Sequence, residues 1–488
     1  MLVVLEGGSE MLFSSLTFLF LFLPASLLIF FLVPLKYRNY ALFAISLIFY
    51  GWRAEDRWYL ILLILTFSLD YVAALLIARS RAKENPKASK IIFILALCLN
   101  IGLLAFFKYT DFILTNLARI PLFSGIKPLG LAFPLGISFY SFQAMSYLID
   151  VYLGKIQIQK NYFTFGTYVV LYPQLVAGPI IQYREIESQL ADHPSSVALA
   201  ASGIRTFICG LGKKVLLANV AGELWTTIHN LPSDQMTTLL AWFGLFLFSM
   251  QIYFDFSGYS DMAIGLGKIM GFRFPENFNY PYIAQSITDF WHRWHITLSG
   301  WFRDYVYIPL GGNRSGYART FFNMFVVWCL TGLWHGAAWN FILWGLYYFV
   351  LLSIERLGFG KILSKWPSVF RHVYALFFIL LGWLIFAFDG SSEALTFSAL
   401  GRYLGYLFGI GTAGFASGLT AYELVRNLSF SFILLFACIP GPKAWMQRIR
   451  SRYKIAPYLF DIGAAAVLVL CVAYLADSGF NPFLYWKF

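Results

Sequence analysis

Six histidines occur in 488 residues, and three of them, His292, His295 and His335, fall in or just after one unusual stretch from Gln251 to Asn340. There, charged, polar and aromatic residues alternate within a chain that otherwise avoids charge. His335 sits in WCLTGLWHGAAWNFILWG, and no Asp, Glu, Lys or Arg occurs from Phe321 to Ser353. Burial disfavours the charged form of an imidazole, so a histidine in such surroundings is expected to be neutral. A neutral imidazole can take a proton from a hydroxyl or a thiol. Gly336, Ala337 and Ala338 beside it leave room for another backbone or an acyl chain. The alternative is a histidine that only hydrogen-bonds a neighbouring helix, and the pattern leaves both readings open.

His292 and His295 stand three apart in WHRWH, so the spacing predicts that they share one helix face with Trp291 and Trp294. No third or fourth ligand accompanies them at a sensible spacing, and we assign no metal. Aromatic residues and arginines commonly anchor a chain at a membrane surface, which is the plainer reading of His292. Arg303 and Asp304 adjoin in WFRDYVYIPLGG, either as a structural ion pair or as a contact for a substrate phosphate, which makes them the candidates for cofactor binding. GGNR, Gly311 to Arg314, is a glycine turn with a basic end and lacks the GK[ST] of a P-loop. Asp255, Asp261 and Asp289 are candidate hydrogen-bond partners for the histidines or arginines. No GxSxG elbow, HExxH or dinucleotide fingerprint occurs.

The elements that must position these groups follow from composition. The chain is 59% hydrophobic, 20% aromatic and only 12% charged, with a mean hydropathy of +0.67. Soluble domains carry about 25% charged residues, so lipid is the expected solvent. At about 40 residues per span with its connection, the length accommodates about eleven helices. Met11 opens LFSSLTFLFLFLPASLLIFFLVP, too long for a signal h-region and without a cleavage site, which reads as a first membrane helix. Further apolar blocks recur to about residue 476, several shorter than a full span and suited to broken or re-entrant helices. Unbroken apolar blocks exclude an outer-membrane barrel, whose strands alternate.

The net charge of +12 is dispersed in short clusters between apolar blocks. Arg79, Arg81, Lys83, Lys87 and Lys90 form one, and Lys443, Arg448, Arg450, Arg452 and Lys454 another. This pattern follows the positive-inside rule and argues against nucleic-acid binding. Cys98, Cys209, Cys329, Cys438 and Cys471 are isolated in apolar context and read as free core thiols. The fold class is therefore an all-α polytopic membrane protein. Residues 1–10, MLVVLEGGSE, fit poorly with the apolar run that opens at Met11 and are set apart as an extension. Residues 11–350 form a core, and residues 351–488 supply C-terminal helices that complete the same domain.

Three segments then resemble the membrane-bound O-acyltransferase family: FDFSGYSDMAIGLGKIMGFRFPENFNYPY, DFWHRWHITLSGWFRDYVYIPLGGNR and LTGLWHGAAWNFILWG. MLFSSLTFLFLFLP, FPLGISFYSFQAMSYLIDVYLG and YPQLVAGPIIQY add to the likeness, which covers about residues 11–350 in order. It is closest to the bacterial branch that acetylates alginate and other polysaccharides, with D-alanyl transfer to teichoic acid as the alternative. The resemblance implies a ring of membrane helices around a central tunnel, with short re-entrant or interfacial helices. The family's two characteristic histidines fall on His335, matching the one regarded as catalytic, and on His295. It further implies a cytoplasmic thioester donor, acetyl-CoA, bound as a substrate, with no tightly bound cofactor. The acetyl group would cross a bacterial inner membrane to an envelope polysaccharide with help from an extracytoplasmic esterase-like partner. A reading from another class, a proton-coupled transporter or lipid flippase, predicts inverted repeats or paired broken helices, which the sequence does not show.

Overall fold

The computed structural model describes residues 11–52, 57–388, 395–477, 481–482 and 484; the extension at residues 1–10 lies outside them. The described chain is 76% helix without strands, as expected where a backbone must satisfy its own polar groups in lipid. Among the described residues, six helices are long and apolar enough to cross a membrane. They are Trp58–Ala82, Pro86–Leu117, Thr238–Ile269, Trp339–Leu363, Ser368–Ala387 and Ala456–Asp477. A bent pair, Gly418–Arg426 with Leu428–Ala437, makes a seventh if counted as one span. The other apolar blocks form shorter or interrupted helices, such as Phe18–Leu32 and Ile137–Leu153.

Burial separates two kinds of long helix. Only 6% of the apolar window of Ala456–Asp477 and 11% of that of Pro86–Leu117 is buried, against 83% for Thr238–Ile269. The first two present Leu, Ile and Val outward, which is stable only against lipid. Cys98 and Cys209 are exposed on helix surfaces rather than held in a core.

The fold divides into two units. The first comprises residues up to Ile208 with Tyr259–Pro275. Its helices Arg57–Ala82 and Pro86–Leu117 form a hairpin, with Asn85 capping the second through Ala88 N–H. The hairpin carries a buried hydrogen bond of 2.7 Å from Asn100 Nδ2 to Asp70 Oδ1. In the same unit Phe13, Phe18, Phe22, Phe49 and Tyr172 pack ring on ring and form an aromatic core.

The second unit comprises Cys209–Gly258 and Glu276–Leu484. Helices Gly316–His335 and Trp339–Ile354 form its tightest hairpin. Glycine is required at their crossing: a Cβ on Gly332 would strike the Phe341 carbonyl, and one on Gly345 the Trp328 carbonyl. His335 is the last residue of its helix, where the chain turns extended at Gly336 and Ala338 before Trp339 restarts it. Three π-helical segments, Lys213–Asn219, Arg303–Tyr307 and Glu355–Phe359, interrupt this unit's helices. The first carries Lys214, whose ammonium pairs with the Asp255 carboxylate at 2.6 Å, both side chains buried. The pair also secures the C-terminal segment, because Lys214 donates to the Pro482 carbonyl and Leu484 N–H to Asp255 Oδ2.

Candidate functional site

The site is built from the segment Glu276–Phe302. Ser286 caps the five-residue helix Ile287–Trp291 through Asp289 N–H at 2.9 Å, and a second short helix runs from Ile296 to Phe302. Between them the helix does not continue, and His292 and His295 do not share a helix face as their spacing predicts. The reason lies in Asn277 and Asn279. In a continuous helix, Ile296 and Thr297 would donate to the carbonyls of His292 and Arg293. Instead Ile296 N–H donates to the Asn277 carbonyl at 3.0 Å and Thr297 N–H to Asn277 Oδ1 at 3.3 Å. The Arg293 carbonyl accepts from Asn279 N–H at 2.9 Å. His295 consequently takes a left-handed backbone, φ 45°, and its side chain turns inward while His292 stays exposed.

His295 is 1% exposed. Its ring stands edge-on to Phe256 at 4.7 Å and to Trp334 at 5.9 Å between centroids. Nδ1 lies 3.0 Å from Asn277 Oδ1. That oxygen also accepts from Thr297 N–H and from the Thr297 hydroxyl at 2.9 Å, and a backbone N–H can only donate. The Asn277 atom facing His295 is therefore an acceptor, and Nδ1 must carry the proton. Nε2 is left with a bare lone pair, buried and without a hydrogen-bond partner among the described residues. The segment lies outside the long apolar helices, and burial pushes the His295 pKa down to about 3, which keeps the ring neutral.

His335 is equally buried, at 1% exposed. Its ring stands edge-on to Trp344 at 4.9 Å and to Phe386 at 5.4 Å. Trp334, next to it in the chain, is the ring that touches His295. Trp344, Trp383 and Trp294 continue the same aromatic cluster back to the His295 turn. The structure thus brings His295 and His335, forty residues apart, into one buried aromatic cluster with Trp334 between them.

It does not bring Arg303 and Asp304 there. These two form an ion pair of 2.8 Å, which raises the Arg303 pKa above its ordinary value chiefly through the hydrogen bond to Asp304. Arg303 instead lines a cavity of about 820 Å³, with Arg356, Arg371, Asp289 and Glu355. Neither histidine lines it. Asp289 pairs with Arg293 at 2.8 Å, and Asp255 with Lys214, so neither serves a histidine. GGNR is a turn, with Gly311 at φ 107° and Gly312 at φ 56°, tied to the His335 helix by Asn323 Nδ2 donating to the Gly312 carbonyl.

Sequence reasoning missed Asn277 and Glu355. The signal for Asn277 was its place in PENFNYPY, a proline- and asparagine-rich break between helices, where side chains commonly bond backbone. Glu355 offered only an acid at the end of a long apolar run.

The sequence profile of the membrane-bound O-acyltransferase family matches residues 42–395. A probable alginate O-acetylase of Pseudomonas putida is 36% identical, over 98% of this chain and 100% of the relative. A peptidoglycan O-acetyltransferase of Helicobacter pylori is 36% identical over 79% of this chain and 78% of its own. A teichoic acid D-alanyltransferase of Bacillus subtilis is 30% identical over 52% and 68%. A helical membrane fold and a profile match over most of the length define a membrane acyltransferase. This chain belongs to the membrane-bound O-acyltransferase family and is an O-acyltransferase embedded by multiple membrane helices.

Proposed function

We propose that this enzyme moves an acetyl group from cytoplasmic acetyl-CoA, across a bacterial inner membrane, for O-acetylation of an envelope polysaccharide. Similarity along nearly the whole length of an alginate O-acetylase favours acetyl transfer over D-alanyl transfer, where the match covers about half of this chain. The observation that carries the reading is the pairing of two buried histidines through Trp334, one of them with a bare Nε2.

In this mechanism His335 accepts the proton of the attacking hydroxyl as its oxygen bonds to the thioester carbonyl carbon. The C–S bond then breaks, and the imidazolium returns the proton to the departing thiolate. The tautomer of His295 narrows its part. A ring with the proton on Nδ1 cannot donate from Nε2 to a carbonyl, but Nε2 can accept from a second hydroxyl of the acceptor, since the single proton of the attacking hydroxyl goes to His335. His295 therefore orients the acceptor rather than polarising the thioester. Arg303, with Arg356 and Arg371 around the cavity, supplies cationic ground for the donor's phosphates.

Transfer of this kind requires access for the thioester from one membrane face and for the acceptor from the other, the tunnel architecture that the resemblance implies. An extracytoplasmic esterase-like partner would complete delivery to the polymer. Purified protein in liposomes, given labelled acetyl-CoA and an acceptor or partner, tests it. We expect thioester consumption and label transfer by the native enzyme, both lost in His335→Ala of matched folding. Turnover that survives this substitution would remove His335 from the chemistry.

A further inference from the structure

We propose that Glu355 is a positioning residue for the His295 segment, a clamp built into a membrane helix that holds the start of the interrupted helix pair Ile287–Trp291 and Ile296–Phe302. This inference rests on the acyl-transfer reading and adds to it a residue outside the two histidines.

Glu355 stands where the Trp339–Ile354 helix passes into its π segment, and it is buried at 7% exposed. Its carboxylate accepts from four donors. Oε1 takes Ile287 N–H at 2.7 Å and the Tyr374 hydroxyl at 3.2 Å. Oε2 takes Thr288 N–H at 3.0 Å and the Thr288 hydroxyl at 2.6 Å. Ile287 and Thr288 are the first two residues of the Ile287–Trp291 helix, so a side chain from another helix satisfies N–H groups that no helix can satisfy internally. An anionic acceptor at a helix start is also favoured by the helix dipole.

A helix of five residues has almost no stability of its own. Its apolar residues Ile287, Phe290 and Trp291 are buried, and from Trp291 the chain has only the turn His292–Trp294 before His295. The segment is consequently held at two ends. Asn277 fixes the His295 end, and Glu355 fixes the start. Further bonds close around the Glu355 end: Gln285 Nε2 donates to Ser368 Oγ at 2.7 Å, and His372 Nδ1 lies 3.1 Å from the Ala284 carbonyl. Two successive membrane helices, Trp339–Leu363 and Ser368–Ala387, thereby locate the segment, and Trp339–Leu363 follows directly from the His335 turn. Because His335 ends one helix and Glu355 lies on the next, the clamp references the His295 segment to the hairpin that carries His335.

The test replaces the carboxylate by its neutral isostere. In Glu355→Gln one atom that accepted a backbone N–H becomes an amide donor, so two donors face each other at the helix start. In purified, monodisperse protein we expect kcat with a short acetyl thioester, which has no nucleotide to enter the arginine-lined cavity that Glu355 also borders, to fall by about tenfold or more, with its KM within about twofold. Hydrogen exchange should rise in peptides spanning 285–297 and stay unchanged in the Pro86–Leu117 helix. Thr288→Val, which removes only the 2.6 Å hydroxyl bond, should give a smaller change in the same direction and serves if the glutamine variant does not fold. Unchanged exchange in 285–297, or unchanged kcat in a variant whose exchange has risen, would overturn the clamp. Hydrogen exchange reads the clamp without turnover, so a native enzyme inert toward acetyl-CoA would count against the acyl-donor reading and not against Glu355.

Discussion

Asn277 Oδ1 lies 3.0 Å from His295 Nδ1 and also takes the N–H and hydroxyl of Thr297. One amide oxygen thus sets the bend of the chain and the tautomer of the ring it delivers. Asn277→Leu should release both. Removing the partner that orients a functional histidine typically costs about 10–100-fold in activity, and we expect a kcat loss in that range with little change in donor KM. Steady-state kinetics of the folded variant decide it.

The depressed pKa of His295 makes a pH prediction of definite sign. The folded ring, with a pKa of about 3, refuses a proton that the unfolded ring takes near its ordinary value of 6.5. Between these values the unfolded state binds more protons, so stability falls as pH drops below 6.5 and is unaffected by His295 above it. Activity should therefore show no acidic limb from His295 between about pH 8 and pH 5. Asn277→Asp keeps an acceptor on Nδ1 but adds a negative charge beside the ring, which raises its pKa. The variant should gain an acidic limb that the native enzyme lacks, visible in a pH–rate profile.

The cavity arginines make a different kinetic prediction. If Arg303, Arg356 and Arg371 hold the donor's phosphates, Arg371→Ala should raise the acetyl-CoA KM by about tenfold, with kcat little changed, as expected for uniform binding. A short acetyl thioester without the nucleotide should be insensitive to the same substitution. Comparing the two donors on the native enzyme and the variant tests the assignment.

Lys214 and Asp255 form a buried pair that holds the C-terminal segment. Leaving one partner of such a pair alone usually costs about 3–5 kcal/mol. Lys214→Met should accordingly lower thermal stability in detergent strongly, and the double variant Lys214→Met with Asp255→Leu should recover part of the loss. A double variant no more stable than Lys214→Met would show that the loss came from packing and tail contacts rather than from a stranded carboxylate.

Much of this protein was legible from residue types alone. Few charges and long apolar blocks require helices in lipid, because no other secondary structure in this pattern satisfies its own backbone. The isolation of His335 in an apolar run marks it as a candidate by composition, and the ordered segments around it point to the family. What periodicity could not reveal was the interruption at WHRWH. Spacing sees only i, i+3 neighbours, and the competing acceptors come from Asn277 and Asn279, which lie many residues earlier. The tautomer of His295 likewise depends on which atom of a distant amide faces it.

The acids illustrate the same limit. Asp255, Asp289 and Glu355 are alike in sequence, each a carboxylate near an apolar or aromatic run. Tertiary structure gives them different work: one neutralises Lys214, one pairs with Arg293, and one caps a helix start. A carboxylate takes whichever donors the fold places within about 3 Å, and that choice is made by helices distant in sequence. Composition and local pattern determined the apolar helices and marked His335 as a candidate, and the ordered family segments marked His295. Only the packing of those helices decided which groups hold His295, in which tautomer, and that the arginines line a separate cavity.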